Sequence, residues 1–159
     1  MDSVHLRRIL GNFATGVTVI TLNADGLWHG MTANAFSSVS LDPPLVLFCA
    51  DKGTNCHDLV PEAQHYAVNI LTADQEWLSN RFAGEHHDMD DPFEDVPVTE
   101  AATGAPIIEG TLGYVDCTLE ESHDAGDHTV YVGHVETGEV VEGEADPLTF
   151  FRGDYGTMA

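Results

Sequence analysis

The sequence predicts a mostly β fold, an antiparallel β-barrel with a few peripheral helices. Several runs rich in β-branched residues alternate with turn sequences, and two of them, residues 111–122 and 129–141, are long enough for an extended hairpin. Only short stretches carry apolar residues at helical spacing. A length of 159 residues fits one domain, predicted over residues 1–159, that buries a core without a disulfide or metal.

The elements follow in order along the chain. An amphipathic helix that ends at Gly16 is predicted first, because Leu6, Ile9, Leu10 and Phe13 recur at helical spacing. Two further helices are predicted, one around residues 56–63 and one after a capping box at residues 72–75. The strands that precede the hairpin are predicted at residues 17–22, 27–32, 45–49 and 66–71.

Two loops interrupt this pattern. Residues 84–106 are acidic and contain prolines, so they are predicted to form an irregular loop. The polar insert at residues 123–128 is predicted to connect the two strands of the long hairpin.

The charge is strongly acidic, with 27 Asp and Glu residues against 5 Lys and Arg residues and a formal net charge of −22. Nucleic acid and anionic membranes are excluded as partners, because both are bound through many cations. Self-repulsion of this size is tolerated where salt screens it, so the composition favours a salt-adapted, halophilic protein with an acidic surface. The absence of a secretory signal and of a long apolar run predicts a soluble cytoplasmic protein.

Metal chemistry is not predicted. The three cysteines form no C-x-x-C pair. His86, His87 and Asp88 fall in the acidic loop, where a solvated charged run is the simpler explanation. A turn could bring ligand-type side chains of residues 123–128 together, but no second pair of ligands flanks them at the spacing of structural zinc sites.

Lys52 is the one lysine of the chain, and its position predicts an anion site. The run from Asp51 to Thr54 follows a buried strand and precedes a helix, and a helix N terminus offers free N–H groups and a positive dipole to a phosphate. The alternative is an ordinary turn lysine with Thr54 as the helix N-cap.

The segment 31–40, between two strands, concentrates small and hydroxyl residues around Asn34 and Phe36. Such a segment allows close backbone approach to a flat polar ring and offers hydroxyls to a phosphate. A serine-rich connection between strands would have the same composition, so this pattern leaves both interpretations open.

Residues 13–21 (FATGVTVIT) and 30–46 (GMTANAFSSVSLDPPLV) closely resemble the flavin reductase-like, FMN-binding split-barrel family. Shorter matches follow in the family's order at residues 67–71, 81–84, 126–129 and 151–155, so the resemblance covers essentially the whole chain. It implies a Greek-key split β-barrel, and a homodimer with the flavin near the subunit interface. The implied activity is the reduction of FMN or FAD by NADH or NADPH, with release of the reduced flavin to a separate oxygenase component.

The resemblance also implies roles for individual residues. Flavin ring and ribityl contacts are implied for Thr32, Ala33, Asn34 and Ala35, and contacts along the ribityl–phosphate end for Ser37, Ser38 and Ser40. The implied phosphate ligands are Lys52, Gly53 and Thr54. Phe82 is expected to pack near the flavin, and His128 to help place the nicotinamide.

Acidic residues crowd the loop at residues 85–95, which favours NADH over NADPH. Three alternatives remain open at this point. They are a flavin-binding protein or electron carrier with the same barrel, a haem-binding split-barrel module, and a metal-dependent hydrolase that uses the histidines.

Overall fold

The computed structural model describes residues 1–85, 88–141 and 143–158. Its helices are α1 (Ser3–Leu10), α2 (Asn55–Ala63) and α3 (Glu76–Asn80), with a short 3-10 turn (Ala73–Gln75) before α3 and a π turn (Arg81–Glu85) after it. Its strands are β1 (Thr15–Gly16), β2 (Thr18–Ala24), β3 (Leu27–Ala33), β4 (Phe36–Leu41), β5 (Pro44–Asp51), β6 (His65–Ile70), β7 (Val98–Glu100), β8 (Pro106–Ile108), β9 (Gly113–Ala125), β10 (His128–Val140), β11 (Thr149–Phe151) and β12 (Asp154–Gly156).

One seven-stranded sheet dominates the structure, in the order β3-β2-β6-β9-β10-β5-β4. The described strands pair antiparallel throughout this sheet, which confirms the prediction of a mostly β, antiparallel fold. Two smaller sheets, β1-β11-β12 and β7-β8, lie outside it.

The sheet is curled, because β3 and β4 form its two edges and yet only Asn34 and Ala35 connect them. Seven flat strands would set the edges roughly 29 Å apart, whereas three Cα steps reach at most about 11 Å. The edges therefore meet, and the sheet closes into a barrel. It leaves a split between β3 and β4, which are not neighbours in the hydrogen-bonded order.

Two apolar clusters fill the fold on either side of β2. The first lies inside the barrel and includes Ile20, Phe48 and Tyr66. The second includes Val19 and Phe82, and it joins β2 to α3 and to the acidic loop. Strand β2 is buried on both faces for this reason.

Helix α1 is shorter than predicted. It ends at Leu10, where the N–H of Gly11 donates to the Arg7 carbonyl, so the expected end at Gly16 is wrong. Phe13 lies beyond the helix with 78% of its surface exposed. In the sequence, the helical spacing of apolar residues continues beyond the C-cap at Gly11. No residue of α1 is buried, so no packing against the core extends the helix to Phe13.

Other predicted boundaries shift for local reasons. The segment 31–40 consists of the end of β3 and most of β4, joined at Asn34 and Ala35, so it contains a strand that the sequence did not predict. In the long hairpin only Gly126 and Asp127 form the turn, since Gly126 adopts the positive φ of 68° that two-residue hairpin turns demand. The acidic loop contains the short strand β7. The helices of the described part of the chain are all too short and polar to cross a lipid bilayer.

Candidate functional site

A cavity of about 1020 Å³ opens at the split of the barrel. It is lined by the whole of β3, the two linking residues Asn34 and Ala35, the end of β5 and the start of α2. The acidic loop, the first residue of β10 and the C-terminal strand pair complete it. The same two-residue connection that closes the barrel therefore lines this cavity.

The inner wall of this cavity is the set Gly30, Thr32, Ser79, Phe82 and Tyr155. Phe82 is buried and lies directly on Gly30, where an added Cβ would sit 2.6 Å from two ring carbons. Only glycine permits this contact. Phe82 thereby presents a flat apolar surface against β3, and its expected packing near the flavin stays a prediction.

Short hydrogen bonds fix the polar part of the inner wall. The hydroxyl of Thr32 donates to the carbonyl of Ser79 at 2.6 Å. The hydroxyl of Ser79, which is fully buried, lies 2.6 Å from that of Tyr155. These contacts join β3, α3 and β12 around one side of the cavity.

Small residues line the rest of the split. Ala33 and Ala35 leave the backbone accessible, and Asn34, between them, is exposed. The hydroxyl of Thr18 donates to the Ala33 carbonyl at 2.6 Å and holds the end of β3 against β2. A planar ring could lie close to this backbone, with an amide side chain at its edge.

The entrance of the cavity is defined by Asp51 and His128, which line it, together with the neighbouring charged residues Lys52, Asp124 and Asp127. The polar groups of this set already have partners within the chain. The Asp51 carboxylate accepts the N–H of Gly53 at 2.7 Å, and Lys52 forms an ion pair with Asp124 across the hairpin. The entrance is more exposed than the inner wall, with 80% of the Asp124 side chain exposed.

Helix α2 begins at this entrance. Thr54 is its N-cap: its hydroxyl donates to the Asp51 carbonyl at 2.7 Å and accepts the N–H of His57. Gly53, Thr54 and Asn55 line the cavity. Lys52 does not line it, because its amine turns towards the hairpin. The predicted phosphate ligands thus lie together, with the ammonium engaged by Asp124.

His128 is the first residue of β10 and lies opposite Asp51 in the strand pairing. Its Nδ1 is 2.7 Å from the Asp127 carboxylate, and this hydrogen bond lowers the pKa of the Asp127 carboxyl. Because a carboxylate only accepts, Nδ1 carries the proton, and Nε2 is left for a ligand as a hydrogen-bond acceptor when the ring is neutral. His128 lines the cavity, and its role in placing the nicotinamide stays a prediction.

The predicted serine contacts lie elsewhere. Ser37, Ser38 and Ser40 are on β4, and none of them lines the cavity of this chain. Ser37 and Ser38 are exposed, and the hydroxyl of Ser37 donates to the Ser38 carbonyl at 2.9 Å. Their part in ligand binding stays a prediction.

The candidate metal ligands are dispersed. His86 and His87 lie outside the described residues. In the hairpin, His123 pairs with Glu121 rather than with its neighbours in the turn. Over the described ranges, no three His, Cys, Asp or Glu side chains are grouped as a metal site would require.

Charge and thiol chemistry complete the site. Asp51, Asp90 and Asp91 line the cavity, whereas none of its described lining residues is a lysine or an arginine. Cys49 and Cys56 also line it, and burial raises the pKa of both thiols, that of Cys56 to about 12. The cavity thus presents carboxylates at its entrance and neutral thiols inside.

The fold and the cavity together define a class of protein. It is an antiparallel split barrel whose cavity, at the split, is large enough to hold a ring-shaped ligand. The chain belongs to the flavin reductase like domain family, whose model matches residues 10–159. The antiparallel barrel predicted from the sequence and the family resemblance are both confirmed.

Named relatives extend over nearly the whole chain. The FMN reductase (NADH) SmoA of Agrobacterium fabrum is 43% identical over 158 residues, which cover 99% of this chain and 87% of SmoA. The flavin-dependent monooxygenase reductase subunit HsaB of Mycobacterium tuberculosis is 40% identical over 98% of this chain and 82% of its own length. Among solved structures, Streptomyces globisporus NADH:FAD oxidoreductase SgcE6, in complex with NAD and FAD fragments, superposes with a TM-score of 0.91 at 36% identity. The superposition covers 99% of this chain and 93% of that one.

Sequence reasoning missed part of the inner wall. Gly30, Ser79 and Tyr155 line the cavity. Gly30 and Tyr155 lie in family matches, at residues 30–46 and 151–155, but neither was given a role. Ser79 carried no signal, because a serine inside a helix is unremarkable until its partners are known.

Proposed function

We propose that the protein is a flavin reductase, which uses NADH to reduce FMN or FAD and releases the reduced flavin. The observation that carries this proposal is the cavity of about 1020 Å³ at the split of the barrel. That volume is at the upper end for ligand pockets and leaves room for two ring systems side by side. The relatives SmoA and SgcE6, named as NADH-dependent reductases of FMN and of FAD, support the same assignment.

The flavin ring fits the segment from Thr32 to Ala35. Ala33 and Ala35 allow the backbone to approach a flat heterocycle, and Asn34 offers both a donor and an acceptor to its polar edge. Phe82 supplies an apolar face. Donors near the pyrimidine edge of the ring would also stabilise negative charge that develops there on reduction.

The flavin phosphate fits the start of α2, where Gly53, Thr54 and Asn55 line the cavity and the helix dipole favours an anion. Lys52 would strengthen this site if its ammonium turned from Asp124 towards the phosphate. Ser37, Ser38 and Ser40 are proposed to contact the ribityl–phosphate end in the assembled protein.

The nicotinamide fits beside His128, whose Nε2 can accept a hydrogen bond from a carboxamide N–H. NADH is the proposed donor, since Asp90 and Asp91 of the acidic loop line the cavity with Asp51 and would repel the additional phosphate of NADPH.

The two bound substrates supply the chemistry itself, a hydride transfer from nicotinamide C4 to flavin N5. The part of this chain is to stack the rings in reach of each other and to keep water from them. His128 is assigned a role in orienting the nicotinamide, with no proton transfer through its ring.

A separate oxygenase is the proposed acceptor of the reduced flavin, because HsaB is named as the reductase subunit of a flavin-dependent monooxygenase. A homodimer is proposed as well. The exposed apolar side chains of α1 and β4, such as Leu10 at 62% and Leu41 at 95% exposure, support it, since a second copy would cover them. Sedimentation of the purified protein as a monomer would contradict this assembly.

A salt-rich cytoplasm, where NADH is available, is the proposed environment. The net charge of −22 supports it, because self-repulsion on this scale is relieved by screening. We expect the melting temperature to rise between millimolar and molar potassium chloride. An unchanged melting temperature would remove the proposal of salt adaptation and leave the reductase assignment intact.

The experiment that tests the function is the oxidation of NADH, followed by its near-ultraviolet absorbance, with FMN, FAD and riboflavin at high and low salt. We expect turnover with each flavin in large excess over enzyme. Flavin that copurifies and never exchanges would favour an electron carrier instead. A chain that binds flavin and oxidises no NADH would contradict the proposal.

A further inference from the structure

A chain of two short hydrogen bonds runs behind the inner wall of the cavity. Tyr155 on β12 meets the Ser79 hydroxyl on α3 at 2.6 Å, and the Ser79 carbonyl meets the Thr32 hydroxyl on β3 at 2.6 Å. All three residues line the cavity. The residues come from distant parts of the sequence, separated by 76 positions in the first hydrogen bond and 47 in the second.

The direction of the second hydrogen bond decides what Thr32 can offer a ligand. A carbonyl oxygen only accepts, so the single hydroxyl proton of Thr32 points at Ser79. The Thr32 oxygen is then left with lone pairs alone for the cavity. A threonine without such a partner could rotate and donate to a ligand, but this one can only accept.

The first hydrogen bond fixes where the Ser79 carbonyl lies. Ser79 is fully buried, and its hydroxyl and that of Tyr155 share one hydrogen bond. Tyr155 is held in turn by Phe150, with ring centroids 5.5 Å apart, across the antiparallel pair β11–β12. The last turn of α3 is thereby tied to the C-terminal strand pair.

We propose that Ser79 and Tyr155 are positioning residues that make Thr32 a fixed hydrogen-bond acceptor for an N–H group of the ligand. Within the proposed function, on which this inference rests, two ligand groups have that chemistry. They are the imide N3–H of the flavin and the carboxamide N–H of the nicotinamide. A ligand that lacks the N–H loses one neutral hydrogen bond, an effect of about 3- to 10-fold on affinity.

Two pairs of probes distinguish these sources. Riboflavin is compared with N3-methylriboflavin, which lacks the imide proton, by quenching of flavin fluorescence. NADH is compared with reduced 3-acetylpyridine adenine dinucleotide, which lacks the carboxamide N–H, by KM at saturating flavin. We expect the wild type to discriminate about 3- to 10-fold within one of the two pairs.

Four variants test the positioning. Thr32→Val removes the acceptor and should bring the ratio within that pair close to one, whereas Thr32→Ser should retain it. Ser79→Ala and Tyr155→Phe should lower the ratio to an intermediate value. Each removes the hydrogen bond between Ser79 and Tyr155, so the Ser79 carbonyl that orients Thr32 is held less firmly. Tyr114→Phe is the matched control, since Tyr114 lies on β9 outside the cavity, and it should leave the ratio unchanged.

The outcomes separate this inference from the proposed function. Discrimination in the wild type that falls in both Ser79→Ala and Tyr155→Phe supports it, even if their melting temperatures also fall, because a general loss of stability would weaken both members of a pair alike. The inference is overturned if the wild type shows no discrimination within either pair of probes, or if the ratio is unchanged in Ser79→Ala and Tyr155→Phe. In both cases the proposed function stands as long as NADH is oxidised. Absence of flavin binding overturns both.

Discussion

The inner wall and the entrance of the cavity are built in opposite ways. The inner wall is largely buried, and close packing and hydrogen bonds of 2.6 Å hold it, as between Thr32 and Ser79. The entrance is exposed, and ion pairs such as that of Lys52 with Asp124 hold it. Packed groups cannot yield without loss of stability, whereas exposed ion pairs are worth little and are exchanged easily.

This difference assigns different tasks to the two regions. The inner wall is suited to select a flat ring by shape and hydrogen-bond direction. The entrance is suited to bind and release charged tails, because its own pairs compete with them. A reductase that passes its product to another protein needs both fit and quick release, and the cavity separates the two.

The largest effect is expected from filling the inner wall. In Gly30→Ala, the new Cβ would lie 2.6 Å from the buried Phe82 ring, and overpacking of this kind costs about 1–3 kcal/mol. We expect the free energy of unfolding in urea to fall by that amount and flavin affinity to fall about tenfold or more. The control is Gly16→Ala, where a Cβ meets nothing within 4 Å. If Gly30→Ala and Gly16→Ala are equally stable, the inner wall accommodates the added Cβ and is not tightly packed.

The next effect concerns the nicotinamide. In His128→Ala, the KM for NADH should rise about tenfold with little change in flavin affinity, because the substitution removes the proposed hydrogen bond to the nicotinamide and the proposed packing of the imidazole ring beside it. The matched control is His134→Ala, on the same strand and outside the cavity. Unaltered NADH kinetics would remove His128 from the site.

A smaller gain is expected from freeing the lysine. In Asp124→Asn, Lys52 loses its ion-pair partner, so FMN should bind about 2- to 5-fold more tightly relative to riboflavin, which has no phosphate. The gain should shrink in molar salt. Glu121→Gln, which removes a carboxylate paired with His123 on the same hairpin, is the control. A preference for FMN that does not change would mean that Lys52 is not available to the phosphate.

The smallest effect is expected for the alkylation of Cys49. Cys49 and Cys56 both line the cavity, but Cys49 is partly exposed, whereas Cys56 is buried, as is Cys117. Since burial raises the pKa of Cys49, its thiolate fraction at neutral pH is below that of a free cysteine, and its alkylation by iodoacetamide should be slow and should quicken as the pH rises. Flavin should protect it. Faster labelling of Cys56 than of Cys49 in the native protein would contradict the burial of the Cys56 side chain.

Most of the fold and one side of the site could be predicted from the sequence. Runs of β-branched and apolar residues located β2, β5 and the long hairpin. The end of α1 was not predicted correctly, because its apolar spacing continues beyond the Gly11 cap.

The entrance was easier to predict than the inner wall. Lys52 and the start of α2 are local features, visible as a lone lysine between a strand and a helix. Ser79 and Tyr155 matter through a hydrogen bond across 76 residues, and no local pattern encodes it. The partnership of Lys52 with Asp124 was missed for the same reason.

The long separations within the inner wall also bear on how the protein folds. The two hydrogen bonds join residues that are 47 and 76 positions apart in the sequence. They can form only after the intervening chain has closed into a loop, which is slow in β-rich topologies. We therefore expect the binding-competent cavity to form late, after barrel closure. During refolding, the quenching of flavin fluorescence should coincide with the slowest kinetic phase, and its amplitude should report the fraction of molecules that have completed folding.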